Sequence, residues 1–277
     1  MTSLILSAPA KINLSLRVAG KREDGFHSID TLMVKLPGLA DRLELTPAAA
    51  FSFTCSDPDL PGGEDNLVVR AARAYAAAAG VELRGQLALT KVIPHAAGLG
   101  GGSSDAATAL VGLDRLYGEL LDSGRLREIA ASLGSDVPFF LTEGAARCTG
   151  RGEIIDAVAP PRSLPVLLLK PDFGVETAAA YARWQDSSPL PGVSYEEQTH
   201  GGLTLVNDLE RPVFAKFYFL AELKQWLLGR NEVAAALMSG SGSCVFAILH
   251  DLATAPTVAA AARQELDPEL WSWSGLT

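Results

Sequence analysis

A chain of 277 residues, 48% hydrophobic and 20% charged, is long enough to bury a sizeable core in one large or two small domains. No apolar run is long enough to span a membrane, and a net charge of −9 with acidic and basic residues intermixed excludes the concentrated basic field of a nucleic-acid surface. Three scattered cysteines make neither a disulfide framework nor a zinc pattern, and the first residues lack the basic start and cleavage site of a signal peptide, so a cytoplasmic protein is expected.

The first clear element is Ala10–Val18, which alternates with period two. Ile12, Leu14, Leu16 and Val18 share one face, and Lys11, Asn13, Ser15 and Arg17 the other. Lys11 and Asn13 therefore project side by side, and periodicity leaves a solvated polar face and a site equally open. Asp24-Gly25 then marks a turn, and the run from Phe26 to Val34 completes a hairpin. Taken alone, Phe26 reads as a core residue and His27 as a surface one.

Further strands are expected at Arg42–Thr46 and Phe51–Cys55, and Asn66 is placed to cap a helix running to Ala79. Leu87–Ile93 reads as a strand that leads into Pro94-His95-Ala96-Ala97-Gly98-Leu99-Gly100-Gly101-Gly102-Ser103-Ser104. Beyond the glycines a helix begins, with Ala106, Ala109, Leu110, Leu113, Leu116 and Tyr117 at helical spacing and Ser103, Ser104 or Asp105 as its cap. A glycine loop entering a helix N-terminus lets backbone amides converge in positive potential, which suits phosphate. No Gly-Lys-Ser/Thr follows the glycines, which disfavours the common P-loop, and serine at position 103 breaks the dinucleotide-binding pattern.

Leu126–Leu133 is helical, and Asp136 in Ser135-Asp136-Val137-Pro138-Phe139-Phe140 has the ordinary role of a cap or turn residue. Ala145–Glu153 reads as a strand and tight turn, and Ala159-Pro160-Pro161-Arg162 as a domain boundary. Then come a strand at Val166–Lys170, helices at Thr177–Trp184, Phe214–Leu228 and Glu232–Met238, and a strand at Cys244–Leu249. Ser239-Gly240-Ser241-Gly242-Ser243 reads equally as a tight helix-to-strand reversal or as a second wall of the site. A last helix follows from Pro256, with Thr254 as its cap.

Pro9–Leu14, Pro94–Ala107 and Ser239–Val245 together resemble the GHMP kinase superfamily of small-molecule kinases, whose loop usually reads Pro-x-x-x-Gly-Leu-Gly-Ser-Ser-Ala-Ala. Here that loop carries extra glycines and Asp105. Asp24-Gly25-Phe26-His27, Ser135–Phe140 and Asn207-Asp208-Leu209-Glu210 extend the resemblance, in an order that is specific where any one motif is weak.

The resemblance implies a two-domain α+β fold, an S5-like N-terminal domain over residues 1–158 and a ferredoxin-like C-terminal domain over residues 159–277, with an ATP site between them. It implies ATP held by Pro94–Ser104, Mg²⁺, a small-molecule cytidine diphosphate substrate, and Lys11 and Asp136 as the catalytic pair. Asn13, Phe26, His27 and Tyr181 would meet the substrate, with Phe26 standing where the family usually has tyrosine. Two rivals are a kinase of the same superfamily for mevalonate, homoserine or a sugar, and a nucleotide-binding regulator without catalysis. The longer loop and Phe26-His27 disfavour the first; Lys11 and Asp136 together disfavour the second. Monomer and weak homodimer both remain open.

Overall fold

A computed structural model describes residues 3–277. The chain opens with two long strands, β1 (Leu4–Lys21) and β2 (His27–Thr46), paired as the expected hairpin. Gly25 takes φ +85° at the turn, and the Asp24 carboxylate accepts a hydrogen bond from the Phe26 N–H at 3.1 Å. The strand expected separately at Arg42–Thr46 is the far end of β2. Pro37 and Gly38 do not interrupt it, because Leu36 and Leu39 on either side are both buried and hold the backbone in the sheet.

β3 (Phe51–Cys55), α1 (Leu67–Ala79) and β4 (Gly85–Thr90) follow, and Asn66 caps α1 by accepting from the Val68 N–H at 2.9 Å. Next come α2 (Gly101–Tyr117), α3 (Ser123–Leu133) and α4 (Val137–Phe140). The strands β5 (Ala145–Gly150), β6 (Ile154–Val158) and β7 (Pro165–Lys170) lead to α5 (Thr177–Ala182). The remainder is β8 (Gln198–His200), β9 (Leu203–Asn207), α6 (Glu210–Lys216), α7 (Tyr218–Leu228), β10 (Val233–Met238), β11 (Val245–Leu249), α8 (Ala255–Glu265) and β12 (Trp271–Leu276).

Two compact units divide these elements. One comprises the described residues through Ala10 with Leu39–Pro94 and Gly100–Glu143; the other comprises Lys11–Gly38, His95–Leu99 and Gly144–Thr277. In the first, β3 lies parallel to β4 and β4 antiparallel to the end of β2. The α1 and α2 helices pack together there, and the fully buried Tyr75 hydroxyl donates to the Asp114 carboxylate at 3.1 Å. In the second, β10, β11, β7 and β12 form a four-stranded antiparallel sheet, while β5 joins the first part of β2 to β6 and β9 runs parallel to β1. Its core includes Leu167, Leu169, Phe214, Leu220, Leu223, Val245 and Val258. The fold is α+β, as expected.

Several local expectations are corrected. Glu232–Met238 is not a helix: β10 pairs antiparallel with β11, and Ala235, Ala236, Leu237 and Met238 are all buried. Four consecutive buried residues carry no periodicity that separates strand from helix, so the available strand partner decides. The helix expected from Phe214 to Leu228 is two, parted at Phe217, where φ and ψ are −119° and 72°. Thr254 does not cap α8 with its side chain; Asp251 instead caps the preceding short turn by accepting from the Ala253 N–H at 2.9 Å. Nor do Ser103, Ser104 or Asp105 cap α2, which starts at least three residues earlier than that reading requires, with Gly100 at its cap position.

On the side of β10 away from β11, the Gln198 amide imitates a strand. It accepts from the Ala236 N–H at 3.0 Å and donates to the Ala236 carbonyl at 2.8 Å. Gln198→Ala strips both bonds from a half-buried edge. We expect it to lower the unfolding free energy by about 1–3 kcal/mol in urea titrations, with the secondary structure retained.

Candidate active site

Lys11 and Asn13 lie on the polar face of β1, yet they are only 3% and 4% exposed, whereas the Arg17 side chain on the same face is 47% exposed and pairs with Glu197. The reading of a solvated face therefore holds for one end of the strand and fails at the other. A buried ammonium needs oxygens around it. Lys11 Nζ donates to Asn13 Oδ1 at 2.6 Å and to the Gly98 carbonyl at 2.9 Å. Asn13 is held in turn, its Nδ2 donating to Thr31 Oγ1 at 2.8 Å, and Thr31 donates to the Ser15 carbonyl at 2.6 Å. The Lys11 side chain is thus fixed at the glycine loop.

The loop's shape depends on its glycines where backbones meet. At Gly98, with φ +74°, a Cβ would stand 2.0 Å from the Ser239 carbonyl oxygen. Gly240, with φ +53°, faces Lys11 Nζ, Asn13 Oδ1 and the Gly98 carbonyl so closely that a Cβ would lie 3.2 Å from each. Ser239 Oγ donates to the Gly98 carbonyl at 3.0 Å, and the Cys244 N–H donates to the Ala97 carbonyl at 3.1 Å. The Ser239–Ser243 segment is therefore a strand-to-strand turn that forms a wall against the loop, not a helix-to-strand reversal. Ala97 and Leu99 turn into the core, while Pro94 is half-buried and His95 and Ala96 are exposed. From Gly100 the chain enters α2, whose first amides, through Ser103, carry the positive end of a 17-residue helix, while the Ser104 N–H donates to the Gly100 carbonyl at 2.9 Å. The buried Ser104 hydroxyl has no hydrogen-bond partner. Such a helix start can hold an anion.

One cluster escaped the sequence reading. Lys91, just past β4, reaches Asp41 near the end of β2 and Asp105 in α2, the latter at 2.7 Å. Asp41 Oδ1 also accepts from the Ile93 N–H at 2.9 Å. Burial pushes the Asp105 carboxyl up to about 7; the Lys91 ammonium opposes that shift and the Asp41 carboxylate adds to it. Burial works against the Lys91 charge, but the two carboxylates outweigh it and hold the ammonium above its ordinary value. Because the three residues come from separate elements, no local spacing announces them.

Asp136 sits half-buried just before α4, which packs on α2. Its side chain makes no cap hydrogen bond to that helix, so capping is not its role. The aromatic candidates gather in the second unit. The His27 ring stacks on Tyr181 with centroids 5.5 Å apart, and meets Trp184 edge-on at 6.1 Å. Burial lowers the His27 pKa, with Lys21 adding to the effect. Phe26 is not a core residue: it is 51% exposed, and the Arg151 guanidinium lies over its ring at 4.8 Å. Trp184 was not anticipated in this group; its place in a short helical segment with Tyr181 was the available signal.

The Asp105 shift fixes the sign of a pH effect. Between the ordinary value of 3.8 and about 7, the folded chain keeps a proton that the unfolded chain has released. This group's contribution is therefore most favourable at low pH and declines as pH rises through that window. Asp105→Asn removes the decline, so denaturant titrations should show the variant gaining on wild type across the window and levelling off above it. A constant difference across the whole range would mean that Asp105 titrates as an ordinary aspartate.

Comparison with known proteins follows the same lines. The family model for the GHMP kinases N terminal domain matches residues 66–144, and that for the GHMP kinases C terminal matches residues 198–267. A protein of Pelotomaculum thermopropionicum named 4-diphosphocytidyl-2-C-methyl-D-erythritol kinase is 42% identical over 269 residues, covering 93% of this chain and 93% of its own. One of the same name from Methylacidiphilum infernorum is 42% identical over 252 residues, covering 87% of this chain and 84% of its own. A crystal structure of 4-(cytidine 5'-diphospho)-2C-methyl-D-erythritol kinase superposes with a TM-score of 0.79 at 36% identity, over 99% of this chain and 98% of that one.

Proposed function

The chain belongs to the 4-diphosphocytidyl-2-C-methyl-D-erythritol kinase family of GHMP kinases, and from that premise we propose that it phosphorylates the 2-hydroxyl of 4-diphosphocytidyl-2-C-methyl-D-erythritol with ATP, a step in non-mevalonate isoprenoid precursor synthesis. The observation that carries the reading is the buried Lys11 ammonium, bonded to the Gly98 carbonyl of the glycine loop. Three free cysteines suit the proposed cytoplasmic setting.

Phosphoryl transfer to an alcohol asks mostly for alignment and charge neutralisation. In this reading, the amides of Gly98–Ser103 at the start of α2 receive the ATP phosphates, the Ser104 N–H being taken by the Gly100 carbonyl, with Pro94–Ala97 shaping the approach. Lys11 offsets charge on the transferring phosphoryl group, and Asn13 keeps its ammonium in place. Asp136 orients the attacking hydroxyl and accepts its proton. Among the described residues no group of three or more His, Cys, Asp or Glu is arranged to hold a metal. Magnesium commonly binds substrate phosphate oxygens together with one or two carboxylates. The Ser104 hydroxyl and Asp105 Oδ1 are buried oxygens without a hydrogen-bond partner, and the Ser104 hydroxyl at the start of α2 would help to hold it. Bound there, it would neutralise phosphate charge.

His27 and Tyr181 suit a cytosine ring. An imidazole offers a donor and an acceptor to a mixed polar edge, and an aromatic face stacks on the base for about 1–3 kcal/mol. Phe26 supplies a second flat face without the hydroxyl of the usual tyrosine.

Two measurements test this. Lys11→Met and Asp136→Asn should each lower kcat, by about 10²–10⁴-fold for loss of the base, with substrate binding much less affected; a folded Asp136→Asn enzyme with wild-type kcat would remove Asp136 from the mechanism. Assayed against a panel that includes mevalonate, homoserine and sugars, the wild type should turn over only the cytidine-linked alcohol. It should prefer that alcohol to its uridine analogue, with His27→Ala eroding the preference and Phe26→Ala weakening both substrates. Equal kcat/KM for the two analogues would overturn the substrate assignment but not the kinase one.

A further inference from the structure

The motif Asn207-Asp208-Leu209-Glu210 has no part in the chemistry described above, yet two of its side chains, Asn207 and Glu210, are bonded to the strand end and glycine turn beside Lys11, and a third, Asp208, is bonded further along the strand that carries Lys11. We propose that Asn207, Asp208 and Glu210 are positioning residues: together they set the distance between the strand that carries Lys11 and Asn13 and the glycine turn that closes over them.

The bonds divide between those two walls. Towards the strand, Asp208 Oδ2 accepts from the Val18 N–H at 2.7 Å, and its own N–H donates to the Leu16 carbonyl at 2.9 Å. These bonds continue the parallel register of β9 on β1, where Leu16 faces Asn207. Towards the turn, Asn207 Nδ2 donates to the Met238 carbonyl at 2.7 Å and to the Gly240 carbonyl at 2.8 Å. Glu210 Oε1 accepts from the Met238 N–H at 2.9 Å. Met238, the last residue of β10, therefore has both its N–H and its carbonyl held by this motif.

Neither clamp is free to swing. Asn207 is buried, and its Oδ1 accepts from the Leu209 N–H at 2.9 Å, so the amide cannot flip without losing every bond. Glu210 is 1% exposed, and Lys224 Nζ donates to its other oxygen at 2.6 Å and to the Ser194 carbonyl at 3.0 Å. An ion pair so buried is costly to break from one side. It gives Met238 a charged acceptor that stays put.

What these clamps hold in place leaves little margin. Gly240 faces Lys11, Asn13 and Gly98 with room for less than a methyl group. Ser239 Oγ and Lys11 Nζ share one acceptor, the Gly98 carbonyl. A small tilt of the turn would pull Ser239 from that oxygen or press Gly240 onto the ammonium, and either would move the charge that the transferring phosphoryl group meets. A misplacement of about 1 Å far from the chemistry can cost about 100-fold in rate.

The proposal rests on the reading that Lys11 acts in phosphoryl transfer, and the experiment separates the two. In the full chain, Asn207→Ala, Asn207→Asp, Asp208→Ala, Asp208→Asn, Ser239→Ala and the Asn207→Ala/Ser239→Ala pair are assayed well below their melting temperatures, with kcat and both KM values referred to folded protein. We expect Asn207→Asp, which turns a carboxylate onto two carbonyl oxygens, to lower kcat by about 100-fold with little change in KM for the cytidyl substrate. Asn207→Ala should lose less, and the pair should lose less than the product of its two single losses, because both act through one turn. Should the Asn207 variants not fold, Asp208→Asn, which keeps an acceptor for Val18, should retain more kcat than Asp208→Ala. Wild-type kcat in folded Asn207→Ala, strictly multiplicative losses in the pair, or equal kcat in the two Asp208 variants would overturn the proposal. If Lys11→Met itself keeps its kcat, the reading of Lys11 falls; if Lys11→Met is inactive while the Asn207 variants match wild type, only the positioning role falls.

Discussion

A lysine ammonium buried in the middle of a strand must be given oxygens, and much of the second unit is arranged to supply them to Lys11. Asn13 comes from the next residue on the same strand face, and the Gly98 carbonyl from the loop. For that carbonyl to reach the ammonium, the loop must press against the Ser239–Ser243 turn at a distance that excludes any side chain on Gly98. Gly98 and Gly240, which the sequence places in a loop suited to phosphate and in a tight reversal or site wall, also serve this one charge. They let two backbones close around an ammonium that is nearly shut off from water.

The same physics recurs at two more lysines. Lys91 lies between Asp41 and Asp105, and Lys224 against Glu210, in each case with little contact with solvent. Removing one partner from such a group leaves a buried charge or dipole unmet, which is why these pairs constrain geometry. The exposed pairs differ. Arg84 with Glu82 and Arg125 with Glu128 are open to solvent and bring little stability. The Lys91 cluster ties the strand that enters the glycine loop to the helix that leaves it. The Lys224 pair steadies the strand that ends at the glycine turn.

The aromatic group has a different logic. His27 follows the first hairpin turn and Tyr181 comes from a short helix far along the chain, and their stacking brings a polar-edged ring against a flat one. Burial keeps that imidazole from protonating readily, which preserves a ring that both donates and accepts. Phe26 is half open to solvent, with the Arg151 guanidinium lying over its ring.

What could be read without the structure was what local rules determine. Alternation located β1, Asp24-Gly25 the hairpin, Asn66 the start of α1, and the glycines the loop that runs into α2. The ordered set of motifs identified the superfamily. Each of these signals lies within a few residues, where sterics and hydrogen bonding are set by neighbours in the chain. The tertiary structure decided the rest. Ala235–Met238 became a strand because β11 was there to pair with it, and Lys11 left solvent because the loop and the glycine turn close over it. Asp41, Lys91 and Asp105 found one another from three separate elements. Burial and partnership over long separations depend on where the whole chain folds, and no spacing of letters encodes them.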